Sequence, residues 1–127
     1  MIPKYRAWDK RFSEFVEDFF VSEDGKIYKK STDTGYGIAI SREISDKVIL
    51  MQSTGFKDKN GKEIFEGDIL GTKDGLLNGI IEYREDLGMF VNSLIRYNNF
   101  ERLCNAAGNR EIIGNVYENP ELLEDKE

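Results

Sequence analysis

The densest set of side chains able to do chemistry lies between Asp58 and Asp68, where Asp58, Asn60, Glu63, Glu66 and Asp68 place oxygen donors around Gly61. Oxygen ligands about a sharp glycine turn are what a calcium loop uses, but such a loop also needs a bidentate glutamate at its twelfth position. Counted from Asp58, that position is Ile69, so the template fails. The same residues read as two tight turns, one closed by Asn60-Gly61 and one by Glu66-Gly67-Asp68. Two carboxylate pairs, Glu82 with Asp86 and Glu66 with Asp68, have the residue types for proton transfer. A glycosidase sets such a pair on either side of its scissile bond, and turns rich in acids produce pairs by accident. Cys104 is the lone cysteine, and with zero histidines in the chain no imidazole is present to activate its thiol. Its neighbours Leu103, Ala106 and Ala107 read as packing around a half-buried, inert thiol. Gly67, Gly71, Gly75 and Gly79 recur every four residues, yet no Gly-Lys-Ser/Thr follows, so they serve turns and bulges rather than a phosphate loop.

These exclusions leave little for catalysis. The 127 residues contain no histidine and one cysteine, which removes the commonest general base, the commonest metal ligand and any intramolecular disulfide. No catalytic residue, metal or cofactor is assigned. With 18 basic and 24 acidic side chains the formal net charge is −6. Residues 1–60 carry 11 basic and 10 acidic groups, so the acidity lies in the second half. A charge of −6 is weak mimicry of a duplex, which carries about one charge per 1.7 Å. The aromatics Tyr5, Trp8, Phe12, Phe15, Phe19, Phe20 and Tyr28 lie among Lys4, Arg6, Lys10, Arg11, Lys29 and Lys30, which is the raw material of a base-stacking surface. Core packing accounts for the same rings without a ligand. No apolar run is long enough for a transmembrane helix.

The elements that must position these residues are short strands. Tyr5 and Ala7 alternate with Arg6 and Trp8. Phe19-Phe20-Val21 and Lys26-Ile27-Tyr28 flank a turn at Ser22–Gly25, so strands are expected from Phe15 to Tyr28. The spacing of Phe12, Phe15, Val16, Phe19 and Phe20 also fits an amphipathic helix over 12–20, which stands as the α+β alternative. A loop follows at Ser31–Gly37. Val48–Met51 forms a strand ended at Thr54-Gly55, Ile69-Leu70 begins another, and Gly79–Arg84 with Met89–Asn92 makes a second hairpin. Leu94–Cys104 has room for a short helix, Ile112–Tyr117 is the last strand, and Pro120 fits the first position of a closing helical turn. About five strands after Val48 predict a mainly β protein whose residues 48–127 form a small SH3-like barrel with an acidic tail. Residues 1–47 form a preceding hairpin region.

Three blocks carry a family resemblance. Tyr5-Arg6-Ala7-Trp8-Asp9, the run Met51–Leu70 containing Asp58, Asn60, Gly61, Glu66, Gly67 and Asp68, and the ending Ile112–Leu123 containing Gly114, Asn115, Tyr117, Glu118, Asn119 and Pro120 occur in the order seen in the YopX family of phage and prophage proteins. The resemblance covers nearly the whole chain, closely enough to raise the founding member itself; Ser53 departs from it where an aromatic is expected. It implies an origin in phages of Gram-positive bacteria and a cytoplasmic life in the host, and carries no activity with it. The functional expectation is therefore a non-enzymatic accessory protein that binds another macromolecule, a protein in the first instance, with nucleic-acid binding by the N-terminal surface as the alternative. The motif glycines Gly61, Gly67 and Gly114 are expected where a Cβ is costly, and Ile64, Ile69, Ile113 and Val116 in the core. The large apolar residues before position 48, from Ile2 and Tyr5 to Tyr28 and Tyr36, exceed what a barrel beginning at Val48 can internalise. They predict either a second small core or a homo-oligomer held through residues 1–47.

Overall fold

In the computed structural model, residues 4–30 and 41–124 are described; the expected loop at Ser31–Gly37, with Ile2 and Tyr36, lies outside them. Strand is the dominant structure, 49% against 10% helix, which makes the protein mainly β. By its internal contacts the chain divides into Arg6–Leu50 and a second unit of Met1–Tyr5 with Met51–Glu127.

In the first unit, β1 (Tyr5–Asp9) is paired with the very short β2 (Glu14–Phe15), with Trp8 opposite Phe15. Their rings meet edge to face at 5.0 Å, an arrangement aromatic pairs prefer. β3 (Phe19–Val21), β4 (Ile27–Lys30) and β5 (Ser41–Glu43) form an antiparallel sheet in that order. The β3–β4 turn closes as expected: Gly25 takes φ +86°, and Asp24 accepts the Lys26 N–H at 3.1 Å. Ala7, Ile27, Ile44 and Val48 form a core against which Val16, Phe19, Val21 and Leu50 pack. The N-terminal apolar residues thus have a small core of their own.

The helix considered over 12–20 does not form. Ser13 and Asp18 adopt left-handed φ of 53° at either side of β2, which no α-helix accepts. Phe12, the first residue of the supposed apolar stripe, is 64% exposed. Pairing with β1 gives the ladder a use for Phe15 and Val16 that a helix would have sacrificed: the Val16 N–H donates to the Ala7 carbonyl at 2.9 Å.

In the second unit the main sheet has the order β11-β10-β9-β8-β12, from β8 (Asp68–Gly71), β9 (Gly79–Arg84), β10 (Met89–Leu94), β11 (Phe100–Arg102) and β12 (Glu111–Asn115). This order is an antiparallel sheet and does not by itself make an SH3-like barrel. β6 (Val48–Lys57) pairs through its C-terminal half with β7 (Glu63–Phe65). Thr54-Gly55, expected to end β6, instead makes an irregularity within it, Gly55 taking φ +80°. Ile64, Leu70, Ile81, Leu103 and Ala107 form the core, with Phe90 and Ile112 against it. Each of the larger side chains contributes roughly 1.5–3 kcal/mol by leaving water. Every residue of β8 is buried, Ile69 on one face and Leu70 on the other.

Three local expectations change. The helix in Leu94–Cys104 contracts to α1 (Leu103–Ala106), because Phe100 pairs with Ser93 in the sheet and is not free to face a helix. Cys104 is exposed rather than half-buried, since α1 turns Leu103 and Ala106 inward in its place. Ile113 is 36% exposed and not in the core: β12 bulges between Ile112, opposite Leu70, and Gly114, opposite Ile69. The extra residue moves off the inward face, and Ile112 packs there instead. Ile64 and Ile69 are fully buried as expected, Val116 is half-buried, and Pro120 opens the closing 3₁₀ turn to Leu123.

Gly67 combines φ +83° with crowding: an added Cβ would lie 3.0 Å from Met51 Sδ and 3.6 Å from Val116 Cγ2. Gly67→Val is expected to destabilise the protein by on the order of 1–3 kcal/mol from the backbone alone. Thermal melting checks this, and an unchanged midpoint would show that the glycine is kept for something other than architecture.

Candidate functional site

The motif residues of the second unit converge into one hydrogen-bonded knot. Asp58, at the end of β6, is 5% exposed. Its Oδ1 accepts N–H groups from Asn60 and Lys62, each at 2.9 Å, which shapes the Asn60-Gly61 turn. Its Oδ2 accepts the Ile112 N–H of β12 at 3.0 Å, 54 residues away in sequence. The Lys59 N–H donates to the Arg110 carbonyl at 2.9 Å beside it. Burial disfavours the Asp58 charge, but the N–H donors of Ile112, Lys62 and Asn60 outweigh it and hold the carboxyl below its usual value. Both oxygens are thus spent on backbone donors, which answers the calcium-loop reading.

The second turn is tied in the same way. The Glu66 N–H donates to the Gln52 carbonyl at 3.0 Å, and Glu66 Oε1 accepts the Gln52 N–H at 2.8 Å. Asp68 is 2% exposed and its Oδ2 accepts the Phe65 N–H at 2.8 Å. The Gly67 N–H reaches the Ile81 carbonyl and its carbonyl accepts the Val116 N–H, each at 2.9 Å. In the last block Asn115 Oδ1 accepts N–H groups from Tyr117 and Glu118, while its Nδ2 donates to Glu118 Oε1 at 2.7 Å. Asn119 returns the contact, its Oδ1 accepting the Asn115 N–H at 3.2 Å. The Asn119 side chain also lies where a Cβ on Gly114 would go, its Cγ 2.7 Å away. Pro120 follows at the first position of the 3₁₀ turn. Trp8 belongs to the first unit, where it is 6% exposed and packed on Phe15.

The two members of the Glu82–Asp86 pair are bound to different partners. Asp86 is bound by both arms of Arg84, at 2.9 and 2.7 Å, and this pairing lowers its pKa. Glu82 accepts the Ser93 hydroxyl at 2.8 Å instead. Each of the four spaced glycines has a local use: Gly67 and Gly75 take positive φ, and Gly71 and Gly79 are crowded by the side chains of Asn78 and Asn92.

One polar cluster had no warning in the sequence. Glu101 on β11 accepts Asn92 Nδ2 at 3.1 Å and Arg110 at 2.6 Å, with Asn92 fully buried on β10. Only the sheet register, which sets Asn92 opposite Glu101, reveals it.

Six aromatic side chains are exposed among the described residues: Tyr5, Phe12, Phe20, Phe56, Tyr83 and Tyr97. Tyr83 and Phe90 meet edge to face at 5.1 Å on the β9–β10 hairpin, with Tyr83 47% and Leu87 43% exposed and the Arg84 guanidinium 5.0 Å from the Phe100 ring centre. Phe12 projects between β1 and β2. Phe20 and Tyr28 stack at 5.3 Å with 17° between their planes. That last row continues to Glu43, directly opposite Tyr28.

A family model described as YopX protein matches residues 4–124. The crystal structure of protein EF1440 from Enterococcus faecalis is similar at 31% identity and a TM-score of 0.63, covering 98% of this chain and 99% of that one. The crystal structure of yopX from Bacillus subtilis is similar at 23% identity and a TM-score of 0.61, with 94% and 97% covered. At that identity the chain is a different protein from the one bearing the family's name, which corrects the expectation of the founding member. No curated protein matches. Among the described residues no helix is long and apolar enough to cross a membrane.

Asp58→Asn keeps the shape and removes the charge, and is expected to lower stability at pH 7 by about 1.5–3 kcal/mol, the worth of a hydrogen bond to a charged group. Since the folded carboxyl is held low, the wild-type advantage is full above about pH 4–5 and fades as the pH drops through the folded value. Melting both chains from pH 7 to pH 2.5 checks this: the gap between them should close on the acid side. A gap constant with pH would mean that the charge is not what matters.

Proposed function

The chain belongs to the YopX family, and we propose that it acts without catalysis, as a phage or prophage accessory protein that binds another protein in the cytoplasm of a bacterial host. The observation that carries this reading is the contrast within the second unit. The motif acids Asp58, Glu66 and Asp68 are turned to backbone N–H groups, while the β9–β10 hairpin turns Tyr83 and Leu87 to solvent. An acid/base enzyme needs its carboxylates accessible to substrate.

The hairpin is suited to docking because its aromatic group is held in place before any partner arrives. Phe90 braces Tyr83 from the sheet, and Asp86 fixes Arg84 beside the Phe100 ring. Tyrosine and arginine are the residue types that most often dominate binding energy, and side chains already ordered lose little entropy on association. Nucleic-acid binding is the lesser reading: the stacked Phe20–Tyr28 pair and Lys30 favour it, and Glu43 on the same row opposes it.

Affinity capture of the tagged chain from phage-infected or prophage-induced cells tests the proposal. A stoichiometric protein partner is expected, lost in Tyr83→Ala/Leu87→Asp with the melting temperature unchanged. Turnover in a hydrolase or transferase screen that disappears with Asp68→Asn would defeat it. A salt-sensitive DNA shift that weakens in Lys29→Glu/Lys30→Glu would transfer the function to nucleic acid.

A further inference from the structure

Two asparagines in the chain precede a glycine, Asn60 and Asn78. In such a pair the glycine nitrogen, shielded by no side chain, is free to attack the asparagine Cγ. A bond from that nitrogen to Cγ closes a cyclic imide, and the side-chain nitrogen leaves as ammonia, taking the proton that the glycine N–H gives up. Water then opens the ring at one carbonyl or the other. The product is an aspartate or an isoaspartate, the second with an extra methylene in the backbone. The remaining asparagines precede residues that carry a side chain or, at Asn119, a proline with no N–H to lose.

The fold treats the two pairs differently. Asn60 and Gly61 are exposed in the β6–β7 turn, and nothing stands within 4 Å of the position a Cβ on Gly61 would take. The Asn60 amide is held by one long contact, Nδ2 to Glu111 Oε1 at 3.4 Å. The attacking nitrogen is covered by one hydrogen bond, from the Gly61 N–H to the Asp58 carbonyl at 3.0 Å. Breaking it takes the opening of a single exposed turn. Asn78 is locked by contrast. Its Oδ1 accepts the Thr72 N–H at 3.3 Å and its carbonyl the Ile95 N–H at 2.9 Å. Its Cγ lies 3.0 Å from where a Cβ on Gly71 would be. Gly79 is buried in β9, paired with Leu70 of β8 on one side and Leu94 of β10 on the other. Ring closure at Asn78 therefore needs paired strands to part, which costs more than opening a turn.

The product at Asn60 falls on the joint already described. The Asn60 and Lys62 N–H groups share Asp58 Oδ1, and the other oxygen of that carboxylate holds β12 through Ile112. An isoaspartate at position 60 inserts its methylene between those two donors. Either product also replaces the amide that donates to Glu111 with a carboxylate, which Glu111 repels.

We propose that Asn60 is a self-modification site: in the folded chain its side-chain amide is lost to the Gly61 nitrogen, and the product weakens the Asp58 joint. The chain thereby carries a slow, self-generated mark of its age on the contact that holds its last strand. No hairpin residue assigned to partner binding takes part, so the two readings stand or fall separately.

Peptide mapping by mass spectrometry on the full chain, kept near neutral pH for several weeks, tests the proposal. A converted peptide gains the mass difference between OH and NH2, and its isoaspartyl form elutes apart from the aspartyl one. In the folded chain conversion at Asn60 is expected to run at least about tenfold faster than at Asn78, and the two rates should come together in urea, where no sheet guards Asn78. The isoaspartyl fraction, separated by chromatography, should melt below the fresh chain. Asn60→Ser should show neither the conversion nor the fall in melting temperature with age. Conversion at Asn60 no faster than at Asn78 in the folded chain overturns the proposal, as does a folded chain in which Asn60 stays intact while the chain in urea converts. An isoaspartyl fraction that melts with the fresh chain overturns the link to the joint.

Discussion

The Asp58 carboxylate is the point on which the second unit depends. Two backbone N–H groups of its own turn and one from β12 share its oxygens, so one side chain both shapes the β6–β7 connection and fixes where the last strand lies. A buried carboxylate is tolerable only when it is fully hydrogen-bonded, and removing the acceptor would leave three backbone N–H groups without it at once. Met51–Leu70 and Ile112–Leu123, distant in sequence, are the two sides of one joint, with Gly67 and Val116 making its second backbone link.

Around that joint, backbone geometry decides how side chains are used. The bulge in β12 turns Ile113 out and leaves Ile112 to the core, and Gly114 lets the Asn119 side chain lie flat against the strand. The Asn115 N–H then donates to the Asn119 side chain and the Asn119 N–H to the Asn115 carbonyl, closing the turn that precedes Pro120. Each of these residues is polar or small because a backbone group needs it, and the motif acids Asp58, Glu66 and Asp68 likewise accept backbone N–H groups.

The first unit is built differently. Its core is small, its strands are short, and the left-handed residues Ser13 and Asp18 flank a strand of only two residues. Strain of this kind persists where surrounding contacts over-determine it, here the Asp9–Arg11 clamp and the Trp8–Phe15 ring contact. The result is an aromatic held at the surface by a scaffold that the second unit's joint does not need.

Composition and local pattern alone determined the mainly β class, the absence of histidine chemistry, the tight turns at Gly25, Gly61 and Gly67, the burial of Ile64 and Ile69 and the helical turn at Pro120. These are legible because glycine's freedom, proline's fixed φ and β-branched burial act within a few residues. Tertiary structure alone decided the rest. The spacing of Phe12, Phe15, Val16, Phe19 and Phe20 satisfied a helix as well as strands, and pairing with β1 chose between them. A one-residue bulge exchanged Ile112 for Ile113 in the core, which no periodicity rule anticipates, because a register shift turns every following side chain to the other face. The three donors on Asp58 and the Asn92–Glu101–Arg110 cluster lay out of reach for the same reason: each joins residues that only the folded sheet brings together, and hydrogen bonds act over three ångströms of space whatever the distance along the chain.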